Sequence, residues 1–270
     1  MSYLYLSQLS AEVRDFITNC ADVGSLLHEK DWAEGNGGNL SIRLESPIEK
    51  WWVSEETPQK VSSFPLEIDL PNLQEEFILI KAAGKRMRDI ARIPDQTLCI
   101  GKVVEKEFLI YWPTKYQTQP SSEINTHLAI HNYLINNENE KKVILHTHPT
   151  ELITISNFKE ISDSNKLNYY LKSTNPGVSI YLPEGVGYVP FEIPSSLQLL
   201  EKTLKIINLH NLILWAKHGV ICKGRNLMEC FDLIDIANKS AKYLLATNQF
   251  TLDLLDEKTI EAIEDYFHKD

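Results

Sequence analysis

The sequence predicts a single α/β domain in which helices pack on a sheet. Three observations lead there. Amphipathic helical stretches alternate with short apolar strands along most of the 270 residues. No internal repeat or convincing linker divides them. Hydrophobic residues make up 43% of the chain against 24% charged, a balance that can bury a full core without disulfides or metal staples.

The elements follow in order. Val13, Phe16, Ile17, Cys20, Val23 and Leu27 recur at spacings of three and four, which predicts an amphipathic helix over residues 10–30 begun by Ser10. It feeds WAEGNGGNLSIRL, where Gly37 and Gly38 interrupt any helix and Leu40, Ile42 and Leu44 alternate as a strand. Residues 46–76 are rich in proline, serine and acids and read as a surface insertion, with WWV its short strand. FILIK predicts a strand that ends in a small-residue turn at Ala82, Ala83 and Gly84. LCIGKVVEKEFLIYW predicts two adjacent antiparallel strands.

Ser122 is placed to cap a helix whose apolar face carries Leu128, Ile130 and Leu134. A polar turn then leads into the apolar run VILHTHP. A helix and a polar connection fill 150–175, and VSIYLPEGVGYVPF reads as a strand with a turn at Gly185 and Gly187. Ser195 and Gln198 bracket a capping box for a helix running to about His210. LILWAKHGVICKG is a strand broken at His218 and Gly219, Asn226 and Glu229 open the next helix, and 250–270 is expected as a helical extension.

Charge and composition exclude several function classes. The formal net charge is -10 and no stripe of Lys and Arg interrupts it, which argues against a nucleic-acid surface. No stretch approaches the roughly 20 apolar residues of a membrane span, and Glu12, Arg14 and Asp15 come too early for the apolar core of a signal peptide. Cys20, Cys99, Cys222 and Cys230 form no CxxC pair and are expected as reduced thiols in a cytoplasmic protein.

HTH is the most informative short motif. In a strand, residues two apart share a face, so His146 and His148 project together while Thr147 faces away. A bare HxH is more often one core and one surface histidine. His218 also ends an apolar strand, and three converging imidazoles match a catalytic zinc site with its fourth position open; manganese and cobalt suit the same donors. A second metal arrangement competes, because Glu123, His127 and His131 fall four residues apart on one helix face. Glu123 also sits in the first turn, where a carboxylate either serves chemistry or stabilises the helix dipole.

Three turns suit an anion. Gly37 and Gly38 between Asn36 and Asn39 can form a nest of backbone N–H groups, Gly84 with Lys85 can add to it, and so can the helix start at Ser121 and Ser122. Each is ordinary alone; beside three histidines they suggest a phosphate near a metal.

GNGGNLSIRL, SSE, HTH and KHGV, in this order over roughly residues 10–245, resemble the zinc-dependent class II aldolases of sugar phosphates. NGGNL, the insertion with FPLEIDLP, and DLIDIANKSA are most similar to the branch that acts on L-rhamnulose 1-phosphate. The resemblance implies a three-layer αβα sandwich with a largely antiparallel sheet, a cyclic homotetramer with active sites at subunit interfaces, and a small phosphorylated ketose as substrate. It gives the zinc-ligand role to His146, His148 and His218, and leaves His127 and His131 without one. It gives acid/base work to Glu123, and dihydroxyacetone phosphate binding to Asn36, Gly38, Asn39, Ser121 and Ser122, with Gly84 and Lys85 beside them. The implied reaction is zinc-dependent retro-aldol cleavage.

Two positions depart from the pattern. Ala82 and Ala83 stand where the family presents a hydroxyl-bearing turn, and Gly177 stands near the place of an acidic residue contributed across the interface, for which Glu184 is a candidate substitute. Other readings keep the fold: an aldolase of L-fuculose 1-phosphate, an epimerase of L-ribulose 5-phosphate, or a metal-free adducin-like binding module. A substrate panel separates the first two, and a metal assay the last.

Overall fold

A computed structural model describes residues 6–44, 52–53, 59–114, 116, 118–247 and 252–268. They fall into two compact units, Met1–Thr147 with Gly224–Met228, and His148–Lys223 with Glu229–Asp270. Among the described residues no helix is long and apolar enough to cross a membrane.

The first unit opens with α1 (Ala11–Glu29). The Ser10 hydroxyl accepts from Val13 N at 3.3 Å, and Val13, Ile17, Cys20, Val23 and Leu27 bury one face, as their spacing predicts. Six strands follow: β1 (Asn39–Leu44), β2 (Ser62–Pro65), β3 (Phe77–Lys81), β4 (Leu98–Val104), β5 (Glu107–Trp112) and β6 (Val143–Thr147). They lie in the order β2-β5-β4-β3-β1-β6, with antiparallel pairing throughout. A four-residue helix, α2 (Pro94–Thr97), precedes β4, and α3 (Ile124–Asn137) precedes β6.

β1 departs from simple alternation. Leu40, Ile42 and Leu44 share one face as expected, yet Asn39, Ser41 and Arg43 on the other face are buried too. A central strand covered on both sides has no solvent face, so its polar residues must find partners inside. Ser41 finds them on α3, and Arg43 finds the Asn139 side chain at 2.6 Å.

The second unit carries α4 (Thr150–Ile155), α5 (Ser164–Thr174), α6 (Pro176–Tyr181), β7 (Val186–Val189), α7 (Leu197–Leu204), β8 (Leu212–Trp215), all but the last residue of β9 (Gly219–Gly224), all but the first two residues of α8 (Leu227–Ala246), and α9 (Glu257–His268). β7 runs parallel to β8, and β8 antiparallel to β9. Pairing is therefore mostly, not wholly, antiparallel.

Several expectations are corrected. Ser122 does not cap α3; Glu123 occupies the N-cap position and makes no side-chain cap bond. Residues 176–181 are helical, because Asn175 accepts from Gly177 N at 3.0 Å and Pro176 takes the first helical position, where its missing N–H costs nothing. Ser196, not Ser195, caps α7, which ends at Leu204. Within the insertion, Trp52 forms one bridge with Leu9, and the strand lies instead at 62–65; residues 45–51 and 54–58 are outside the described part. In the C-terminal extension the helix begins only at Glu257, with 252–256 non-helical and 250–251 outside the described residues.

Candidate active site

The first unit brings two of the three expected anion turns together, with Lys81 as the knot. Lys81 is buried at the end of β3; its carbonyl accepts from Ser121 N at 3.0 Å and its Nζ donates to Asn36 O at 2.9 Å. The same strand end is held by Ala83 N donating to Gln119 O at 2.8 Å. Burial lowers the Lys81 pKa to about 8, against the opposing pull of the Glu123 carboxylate. No sequence signal marked this lysine, since FILIK reads as a plain strand.

Asn36 and Ser122 are exposed, whereas Gly38, Asn39, Ser121 and Glu123 are buried. Gly38 is left-handed at φ +68, and a Cβ there would lie 3.1 Å from His146 O. A close approach and a positive φ together explain why glycine precedes Asn39. Gly84 is also left-handed, at φ +67, but it is exposed with open space around it. Lys85 lines a separate cavity of about 360 Å³ with Ala82, Ala83, Gln96, Tyr116, Thr118 and Gln119. None of the other expected site residues lines that cavity.

Glu123 is the centre of a buried polar group. Its Oε2 accepts from Asn39 Nδ2 at 2.9 Å and lies 3.4 Å from His146 Nε2. The β1–β6 register puts Asn39 directly opposite His146. Ser121 Oγ accepts from the Glu123 backbone N–H at 3.4 Å, and Glu123 O starts the helix by accepting from His127 N. A carboxylate held at a helix start beside an imidazole can take or give a proton to a substrate carbon.

His127 and His131 do not form the competing metal set. Both rings turn to Ser41, whose Oγ lies 2.7 Å from His127 Nδ1 and 2.9 Å from His131 Nε2. The remaining ring nitrogen of His127 meets Asn39 Oδ1. Burial, then the charges of His146 and Lys81, push His127 down to about 3; burial, then the charges of His127 and Arg43, hold His131 well below its ordinary value. Both are neutral core imidazoles.

The second unit begins at His148, one residue beyond the end of β6. Within it the His148 and His218 rings lie 5.6 Å apart, centroid to centroid, and both are half-buried. His218 sits in the β8–β9 turn, where its N–H donates to Trp215 O at 3.1 Å and its ring stacks on Trp215 at 5.3 Å. Lys217 takes the left-handed conformation, φ 62, that turns the chain there. Gly177 lies at the start of α6, and Glu184 accepts from Asn211 at 2.6 Å, so the candidate substitute carboxylate already has a partner in its own unit. All four cysteines are free and buried; burial raises Cys99 to about 12, which keeps it an inert thiol.

Comparison with known proteins yields concordant matches. The model of the family described as "Class II Aldolase and Adducin N-terminal domain" matches residues 18–245. A rhamnulose-1-phosphate aldolase of Bacteroides thetaiotaomicron is 31% identical over 233 residues, covering 86% of each chain. One from Listeria welshimeri is 26% identical over 250 residues, covering 92% of this chain and 89% of the relative. Among solved structures, a sugar-phosphate aldolase from Thermotoga maritima superposes with a TM-score of 0.78 at 31% identity, covering 90% of this chain and 99% of the other.

Proposed function

Because the chain belongs to the class II aldolase and adducin family, we propose that it is an aldehyde-lyase that cleaves L-rhamnulose 1-phosphate to dihydroxyacetone phosphate and L-lactaldehyde, a step of L-rhamnose catabolism. One observation carries the reading: the Glu123 carboxylate is buried, oriented by Asn39, and 3.4 Å from the first histidine of HTH. Names of relatives spanning most of both chains support the substrate.

His146, His148 and His218 are the metal ligands of this proposal. Each offers one ring nitrogen, His148 and His218 face one another, and one residue of backbone joins His148 to His146. Three neutral imidazoles suit zinc. A divalent ion there supplies Lewis-acid stabilisation of negative charge developing on the substrate oxygens.

The chain's own residues do the rest. Asn36, Gly38, Asn39, Ser121 and Ser122 bind the dihydroxyacetone phosphate part, with Gly84 and Lys85 nearby; the Lys81 ties support this grouping of Asn36 with Ser121. As the C3–C4 bond breaks, its electron pair moves onto C3 and the C2 oxygen, and the C4 hydroxyl passes its proton to a solvent water to become the aldehyde. Glu123 returns a proton to C3, and in the condensation direction removes it. The three-layer sandwich, the cyclic homotetramer and a cytoplasmic setting belong to the same proposal. The family match runs through both units, which supports one functional domain. Four buried free thiols suit a reducing compartment.

The test is cleavage of L-rhamnulose 1-phosphate by zinc-loaded and chelator-stripped protein, read by a dehydrogenase coupled to dihydroxyacetone phosphate. Zinc-dependent turnover is the expected result; none with zinc-loaded protein, but turnover of L-fuculose 1-phosphate, would move the substrate.

A further inference from the structure

Five buried side chains of the first unit form one continuous hydrogen-bond chain: Glu123, Asn39, His127, Ser41 and His131. Their exposures run from 0% to 6%, so water does not compete for these bonds. Chemistry gives the chain a direction. Glu123 Oε2 accepts from Asn39 Nδ2 at 2.9 Å. The Asn39 oxygen can then only accept, so the His127 nitrogen facing it, Nε2, carries that ring's hydrogen. His127 Nδ1 is left bare and accepts from the Ser41 hydroxyl at 2.7 Å. With its one hydrogen committed, Ser41 Oγ accepts from His131 Nε2–H at 2.9 Å. His131 Nδ1 ends the chain as a bare nitrogen, buried and without a hydrogen-bond partner.

In this direction the hydrogens of both rings and of the Ser41 hydroxyl are all used, and the far end of the chain leaves over only an acceptor lone pair. The reverse direction would turn the Asn39 amide over, set its oxygen against the Glu123 carboxylate, and leave a buried N–H on His131 with no acceptor. A buried, unpartnered N–H is the rarer and costlier outcome. The two histidines therefore decide which way the Asn39 amide faces.

We propose that His127, supported by Ser41 and His131, is a positioning residue for the acid/base carboxylate, acting through Asn39. The inference rests on the role assigned above to Glu123. His127 holds the Asn39 amide with its nitrogen toward Glu123, and so fixes Oε2 where it can reach a substrate carbon. Neither His127 nor His131 binds metal or substrate.

Two measurements on the metal-loaded full chain test it. The first is the tautomer of each ring, read by long-range 1H–15N correlation with labelled histidine. Neutral Nε2–H forms of His127 and His131 are expected, and a Nδ1–H form on either overturns the chain. The second compares His127→Leu with His127→Gln, whose side-chain amide can still donate to the Asn39 oxygen. His127→Leu is expected to lower kcat by about 10²-fold, with KM within about threefold and metal content unchanged. His127→Gln is expected to regain at least tenfold of that loss at similar thermal stability. Equal loss in the two variants, or a loss that appears only in KM or in stability, overturns the positioning role. Should His127→Leu not fold, Ser41→Ala carries the same expectation in weaker form, a kcat-only loss. Failure of the wild-type protein to turn over any sugar phosphate would refute the enzymatic reading instead, and the tautomers would still decide the chain.

Discussion

Asn39 and His146 stand directly opposite one another in the β1–β6 ladder. One strand register thus sets both the residue that grips Glu123 and the first histidine of HTH. A slip of one residue in β1 would turn Asn39 to the face opposite His146, so this pairing depends on how the chain enters β1.

Gly38 governs that entry. Its φ of +68 costs a residue with a side chain about 1–2 kcal/mol, and an added Cβ would press on His146 O from 3.1 Å. Gly38→Ala is therefore expected to lower stability by that order and to weaken metal binding together with it. Thermal unfolding and a zinc titration check this, and a variant matching wild type in both would show that the loop yields freely.

Glu123→Gln separates proton transfer from architecture. The amide oxygen of Gln still accepts from Asn39, so folding, metal content and the polar chain behind it should persist. Turnover should fall by about 10²–10⁴-fold. Exchange of the C3 proton of dihydroxyacetone phosphate with deuterium, followed by NMR without aldehyde, should fall with it. Retained exchange would assign the proton to another group.

The two histidine sets predict opposite metal behaviour. His218→Ala should lose bound zinc and, like chelator-treated protein, lose cleavage. His131→Asn should keep zinc, since that ring faces Ser41 at 2.9 Å and sits at the end of a closed core chain. Metal analysis of the two purified variants decides the matter, and loss of zinc from His131→Asn would return the helix pair to consideration.

What was legible in the sequence was local. Period two placed Leu40, Ile42 and Leu44 on one face of β1, and periods of three and four placed α1 and its Ser10 cap. Residues 176–181 misled because Val178, Ile180 and Tyr181 favour strands. The Asn175–Pro176 pair, an N-cap followed by a first-position proline, carried the opposite signal and won. Ser41 and Lys81 were not legible, because their partners lie 86 and 45 residues away. The regular spacing of Glu123, His127 and His131 was visible, but its meaning was not: only the tertiary placement of β1 turns a plausible metal set into a hydrogen-bonded chain.

That chain also predicts how stability depends on pH. In the unfolded state each imidazole takes a proton near pH 6.5. In the folded state burial holds His127 off until about 3 and keeps His131 well below its ordinary value. Between these limits the unfolded state binds more protons, so stability falls as pH falls through 6.5 and recovers as pH rises above it. Each histidine contributes a slope of up to about 1.4 kcal/mol per pH unit. Urea unfolding at pH 7, 6 and 5 stays above most carboxylate titrations and should show the loss, with His131→Asn less steep by about one proton. A slope unchanged in His131→Asn would mean that the folded core admits a proton at that ring, and that its unpartnered Nδ1 is not sealed from solvent. On the alkaline side Lys81 acts with the same sign: its folded pKa of about 8 lies below the ordinary 10.5, so stability should rise with pH between those values.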